Sequence, residues 1–171
     1  MVNTTLCYIQ RADEYLMLHR VKKQGDLNRD KWIGIGGKFQ PGESPEDCLL
    51  REAQEETGLT LTGYRFRGIV TFVSDQWPTE HMHLFTADGW TGQLKECDEG
   101  VLEWVPIARL PQLPHWAGDA IFWNLLWQDA PFFSLKLCYR GEQLVRAVLN
   151  GQPLPSEGAA EIDKTKGAGA L

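Results

Sequence analysis

The stretch from Gly36 to Leu59 constrains this chain more than any other, because it specifies a helix with both ends marked and one acidic face. Ser44 is a good N-cap, Pro45 suits the first helical position, Glu46 and Asp47 favour the positive end of the dipole, and Gly58 suits the stop. These signals predict a helix over Ser44 to Thr57. Stepping about 100° per residue from Glu52 puts Glu55 near about −60° and Glu56 near about +40°, so the three carboxylates share a face. Leu49, Leu50 and Ala53 fall on the adjoining face and predict the side that packs.

Like charges three and four residues apart repel, by about 0.2–0.5 kcal/mol per pair on an exposed helix and more in a cleft. A hard divalent cation removes that conflict. Magnesium prefers oxygen ligands and is commonly shared between one or two carboxylates and substrate phosphates. The flanking residues fit such a site. Gly36 and Gly37 permit a tight turn and let bare backbone approach a metal or phosphate, and Lys38 is close enough to contact an anion. Arg51 lies one helical turn from Asp47 and Glu55, and Glu43, just before the N-cap, is placed to fold back onto its guanidinium as a brace. An acidic run on a helix is most often a solvated face. The glycine turn, the brace and the spacing argue against that here.

Gly37, five residues, Glu43, seven residues, Arg51-Glu52-Ala53, one residue, Glu55-Glu56, one residue, then Gly58-Leu59 resembles the full signature of the Nudix hydrolases, with every fixed position filled. The resemblance implies an α/β Nudix fold, an α/β/α sandwich with a mixed sheet. It also implies hydrolysis of a nucleoside diphosphate linked to another moiety, with Mg2+ or Mn2+ held by Glu52, Glu55 and Glu56 and helped by the Gly36 carbonyl. Gly37, Glu43, Arg51 and Gly58 take supporting roles. The likeness is closest to the antimutator, MutT-like branch acting on oxidised purine nucleoside triphosphates. By position, Glu99 is similar to a distal loop carboxylate that joins the metal site or acts as base in that branch. Trp116 and Asp119 resemble a base-stacking aromatic and an acidic residue that reads the base edge. Gly118 stands where the human-type enzyme has a second aspartate, and Ile33 where it has a polar amide.

The rest of the chain reads as a strand and helix mixture. Strands are expected at Thr4 to Gln10 and Tyr15 to Arg20 around a hairpin, at Trp32 to Ile35, Tyr64 to Ser74, His81 to Ala87 and Leu102 to Val105. A helix is expected over Trp116 to Gln128, then a hairpin of Phe132 to Tyr139 with Gln143 to Leu149. Residues 1–149 form one domain in this reading. From Asn150 the sequence is small, polar and short of aromatics, so residues 150–171 are expected to be a disordered tail. The other tryptophans, Trp32, Trp77, Trp90, Trp104, Trp123 and Trp127, are expected to pack core or strand.

A formal net charge of −6 argues against a duplex nucleic-acid partner, whose binding needs phosphates neutralised by lysine and arginine. Cys7, Cys48, Cys97 and Cys138 lie far apart with no zinc spacing and are expected to be reduced and buried. No stretch approaches the length of a membrane span, and a soluble, cytoplasmic protein is the expectation. The function expected is metal-dependent hydrolysis of a nucleoside triphosphate, oxidised purines included, to monophosphate and pyrophosphate. Glu52 or Glu55 is the candidate base, Glu56 mainly a ligand and Glu99 an outside candidate. Cleavage of a nucleotide sugar, dinucleotide or capped RNA end, and a noncatalytic nucleotide-binding module, stay open beside it.

Overall fold

Two segments rich in apolar and β-branched residues, separated by a short polar run, close the first hairpin as expected. In the computed structural model, which describes residues 1–155, β1 (Val2–Arg11) pairs antiparallel with β2 (Glu14–His19), and Ala12 takes the turn at φ 51°. A short β3 (Trp32–Ile33) pairs with the end of β2, and Ile35 bridges back to Cys7. Next comes α1 (Pro45–Thr57), then the long strands β4 (Thr60–Ser74) and β5 (Glu80–Thr91), and β6 (Val101–Pro106), which pairs antiparallel along β2.

The chain divides into two units. One comprises Asn3–Phe66 and His83–His115, with strand order β3-β2-β1-β5-β4 and β6 on β2. Its core joins Cys7, Ile9, Leu16 and Leu18 of the hairpin to Leu49 and Ala53 of α1 and to Leu59, Leu61, Phe85 and Ala87. The alternation in the strands supplies one half of this core. The apolar stripe of α1 supplies the other.

The second unit comprises Met1–Val2, Arg67–Met82 and the described residues from Trp116 to Pro155. It contains α2 (Asp119–Trp127), β7 (Phe133–Arg140), β8 (Gln143–Leu149) and β9 (Gln152–Pro153), in the order β4-β7-β8-β9. β4 and β7 run parallel, Gly68 opposite Phe133 through Ser74 opposite Tyr139, while β7 and β8 are antiparallel. The sheet is therefore mixed, as expected for the fold class.

Three expectations need correction. The helix expected from Trp116 begins only at Asp119 and ends at Trp127, and a short 3-10 helix, Ile107–Gln112, precedes it. Trp116 to Gly118 form a turn instead, closed by the Asp119 N–H to the Trp116 carbonyl and by the Trp116 N–H to the Asp119 carboxyl. Residues 150–155 do not belong to a disordered tail. Asn150 and Gly151, at φ 49° and 79°, form a two-residue hairpin turn that returns β9 onto β8, with Leu149 opposite Gln152. Residues 156–171, the remainder of that expected tail, lie outside the described residues. Cys7, Cys48 and Cys97 are buried free thiols, whereas Cys138 is half-buried, and Trp77 and Trp127 are exposed rather than packed inside.

Candidate functional site

Local signals fix α1 at both ends. Ser44 accepts the Asp47 N–H and Asp47 accepts the Ser44 N–H, a complete capping box, so Asp47 is engaged in the cap and not with Arg51. At the other end Gly58 closes the helix in the left-handed region at φ 79°. Thr57 adds a clasp. Its hydroxyl donates to the Ala53 carbonyl and accepts the Leu59 N–H.

The three helix carboxylates meet different surroundings. Glu56 is buried, Glu52 keeps 15% of its side chain exposed and Glu55 57%. The Gly36 N–H donates to Glu56 Oε2 at 3.1 Å. Burial, together with the charges of Glu52 and Glu99 and a hydrogen bond with Glu99, pushes Glu56 up to about 9, with the Gly36 N–H opposing. Burial also raises Glu52, helped by Glu55 and Glu99 and opposed by Arg51. Gly36 and Gly37 are glycines for reasons of space. A Cβ on Gly36 would run into the Thr5 carbonyl of β1, and one on Gly37 would stand 2.5 Å from the Glu52 carboxyl.

Arg51 is the hub of the acidic face. Its Nε and Nη2 donate to the two oxygens of Glu43 at 2.5 and 3.0 Å, Nη1 to Glu52 at 2.8 Å and Glu55 at 3.2 Å, and Nη2 to the Lys38 carbonyl at 3.0 Å. The paired guanidinium holds Glu43 down at about 2 and keeps Arg51 charged. Lys38 thus contributes its backbone here while its side chain is exposed.

A second guanidinium organises the distal loop. Arg20, buried at the end of β2, donates to Asp26 at 2.6 Å and to Glu99 at 2.5 Å. Burial works against its charge, but Asp26 and Glu99 hold its pKa up. The Lys22 ammonium donates to the Cys97 carbonyl, tying the loop after β2 to the one carrying Glu99. Glu99 is thereby brought to Glu56 although 43 residues separate them in sequence. Arg20 and Asp26 were not singled out by the sequence. Nothing local marks a partner 79 residues away.

Among the described residues no three carboxylate, histidine or cysteine side chains are gathered into a ready-made metal site; Arg51 pairs with Glu52 and Glu55, and Arg20 with Glu99. The donor chemistry still suits a hard cation. All the candidates are oxygen donors, and Glu56, kept protonated by burial and its acidic neighbours, is a carboxylate that a divalent cation would ionise.

In the second unit Trp116 is 8% exposed, set edge-on to Phe72 at 5.5 Å and to Tyr139 at 5.0 Å between centroids. Asp119, equally buried, accepts the Trp116 N–H at 3.2 Å and returns its own N–H to the Trp116 carbonyl at 2.9 Å. Trp116 packs in an aromatic trio with Phe72 and Tyr139.

Comparison with known proteins gives a consistent picture. Residues 2–125 match the NUDIX domain. The uncharacterized Nudix hydrolase YvcI of Bacillus subtilis (strain 168) is 35% identical over 120 residues, which is 67% of this chain and 72% of that protein. The oxidized purine nucleoside triphosphate hydrolase of Danio rerio is 34% identical over 115 residues, 67% of this chain and 73% of that protein. Among solved structures, the MutT mutator protein of Bacillus halodurans superposes with a TM-score of 0.77 at 26% identity, covering 90% of this chain and 100% of the other.

Proposed function

The chain belongs to the NUDIX domain family and is a Nudix hydrolase of nucleotide-derived substrates, and from that premise we propose that it converts a nucleoside triphosphate, oxidised purines included, to the monophosphate and pyrophosphate. The carrying observation is the buried Glu56 carboxyl, bonded to the Gly36 N–H of the glycine turn and facing the charges of Glu52 and Glu99. No helix among the described residues is long and apolar enough to cross a membrane.

Glu52, Glu55, Glu56 and Glu99, with the Gly36 carbonyl, would hold a magnesium or manganese ion, which when bound neutralises diphosphate oxygens and acidifies water. The chain's own residues do the rest. Glu52, whose carboxyl burial raises against the opposing Arg51 guanidinium, takes the proton of the attacking water. Arg51 fixes Glu52 and Glu55 in direction, and Arg20 does the same for Glu99. Lys38, exposed beside the glycine turn, contacts the phosphate chain. Trp116 and Asp119 hold the base, by stacking and by reading its edge.

Relatives named for oxidised purine nucleoside triphosphates favour this substrate over a nucleotide sugar or dinucleotide. The test is a panel of nucleotides with magnesium, reading pyrophosphate, phosphate and monophosphate release. Pyrophosphate from 8-oxo-dGTP in preference to ADP-ribose or dinucleotides supports the reading. Preference for the latter overturns it, and no hydrolysis of any leaves a binding module.

A further inference from the structure

The start of α2 is built in an unusual way. Its N-cap position is Gly118, which has no side chain to satisfy the first amide groups of the helix. The Asp119 and Ile121 amides go instead to the Trp116 and Gly118 carbonyls, and the N–H of Gly118 itself goes to a residue of β7. Tyr139 of β7 is 4% exposed, and its hydroxyl accepts the Gly118 N–H at 2.8 Å.

Gly118 and Tyr139 are matched in size. Gly118 has φ −70°, an ordinary value for any residue, so its backbone does not require glycine. The space does. A Cβ at 118 would stand 2.6 Å from the Tyr139 hydroxyl and 2.5 Å from Leu137 Cδ1. The phenol occupies the volume that a side chain at 118 would need.

The same ring packs at 5.0 Å against the Trp116 indole and at 5.1 Å against Phe72, and Gly118 is joined directly to Asp119. Burial, then the nearby Asp119 charge, pushes the phenol up, so the hydroxyl keeps its proton at any physiological pH. A protonated phenol whose oxygen already accepts one backbone bond is a fixed, neutral polar group. It holds the residues on either side of Gly118 without adding a second negative charge beside Asp119.

We propose that Tyr139 is a positioning residue for base recognition, setting the Trp116 indole and the Asp119 carboxyl through its hydrogen bond to Gly118. The proposal rests on the reading of Trp116 and Asp119 as base-holding residues. Its chemical consequence is a site with one carboxyl facing a purine edge and a neutral hydroxyl behind it.

The experiment uses the full chain and Tyr139→Phe, which deletes one oxygen and keeps the ring. KM and kcat are measured on 8-oxo-dGTP, dGTP and 2-deoxyribose 5-triphosphate, which lacks a base. The variant is expected to raise KM for its preferred purine nucleotide about five- to tenfold, the size of one lost hydrogen bond, with kcat and the base-free substrate unchanged. Gly118→Ala, which pushes on the hydroxyl from the other side, should show the same selective rise, and combining it with Tyr139→Phe should cost less than the sum of the two.

If wild type binds the purine nucleotides no better than the base-free triphosphate, the reading of Trp116 and Asp119 fails and the Tyr139 proposal falls with it. If wild type does discriminate and Tyr139→Phe leaves the KM ratio unchanged, the Tyr139 proposal alone is overturned. A variant that only melts lower and loses all substrates equally marks Tyr139 as structural and overturns it as well. Should Tyr139→Phe fail to fold, the KM ratio of Gly118→Ala decides.

Discussion

The Gly36 N–H donates to Glu56 Oε2 at 3.1 Å, so the glycine turn and the most buried acid of α1 are joined by a single hydrogen bond. Glu56→Gln keeps the shape and an acceptor for that bond while removing the ionisable group. The variant should fold, and in saturating magnesium its turnover should fall by roughly a hundredfold or more. EDTA should abolish wild-type turnover. Near-normal hydrolysis in either case would remove Glu56 from the metal site.

Stability should depend on pH through the same residue. Glu56 rises from an ordinary 4.5 to about 9 on folding, so the folded state holds a proton that the unfolded state releases. The stabilisation is complete below about pH 4.5 and is lost as pH climbs towards 9, at a limiting slope of about 1.4 kcal/mol per pH unit. Melting in EDTA between pH 5 and 9 should therefore show a falling Tm, flattened in Glu56→Gln and restored by magnesium. A wild-type Tm that rises with pH in EDTA would contradict the assignment.

The parts of this protein that were legible in its sequence are the ones specified locally. Ser44, Pro45 and Gly58 mark the two ends of α1, and the Glu43–Arg51 pair lies within reach of one helix start. What was not legible depends on distant partners. The Arg20 bond to Glu99, the Gly118 N–H bond to the Tyr139 hydroxyl and the parallel pairing of β4 with β7 leave no periodic trace. β9 was missed for another reason. The Asn150-Gly151 turn signal was outweighed by the polar composition of the segment around it.

Gly37→Ala isolates the steric role of the turn. The new methyl group would sit 2.5 Å from the Glu52 carboxyl, which must swing away, while the buried core of the helix is untouched. Turnover should drop at least tenfold, with Tm changed by a few degrees only. Unchanged kinetics would mean that the position of Glu52 is irrelevant to the reaction.

Two truncations isolate the contribution of β9. A chain ending at Pro155 keeps the pairing of β9 with β8 and the Leu154 N–H to Ala147 carbonyl bond, and one ending at Asn150 loses both while keeping the two Asn150 bonds to Ser134. The shorter chain should be the less stable by about 1 kcal/mol, read from urea melts. Equal midpoints would show that β9 adds nothing.

Base reading is tested at Trp116 and Asp119. Trp116→Ala and Asp119→Ala should raise KM for a purine nucleoside triphosphate by about tenfold or more, the scale of base stacking on an indole, with far smaller effects on a base-free diphosphate. Equal losses on every substrate together with a lowered Tm would assign Trp116 to packing with Phe72 and Tyr139.

Arg51 bonds Glu43 ahead of the helix, the Lys38 carbonyl beyond the glycine turn, and Glu52 and Glu55 within the helix. No one of these segments can open without breaking bonds to the same guanidinium. The loop from Lys38 and the first turns of α1 should therefore behave as one cooperative opening unit, with their slowly exchanging amides sharing a common protection free energy in native-state hydrogen exchange. In Arg51→Ala that shared value should split, with the loop amides exchanging ahead of those in the helix.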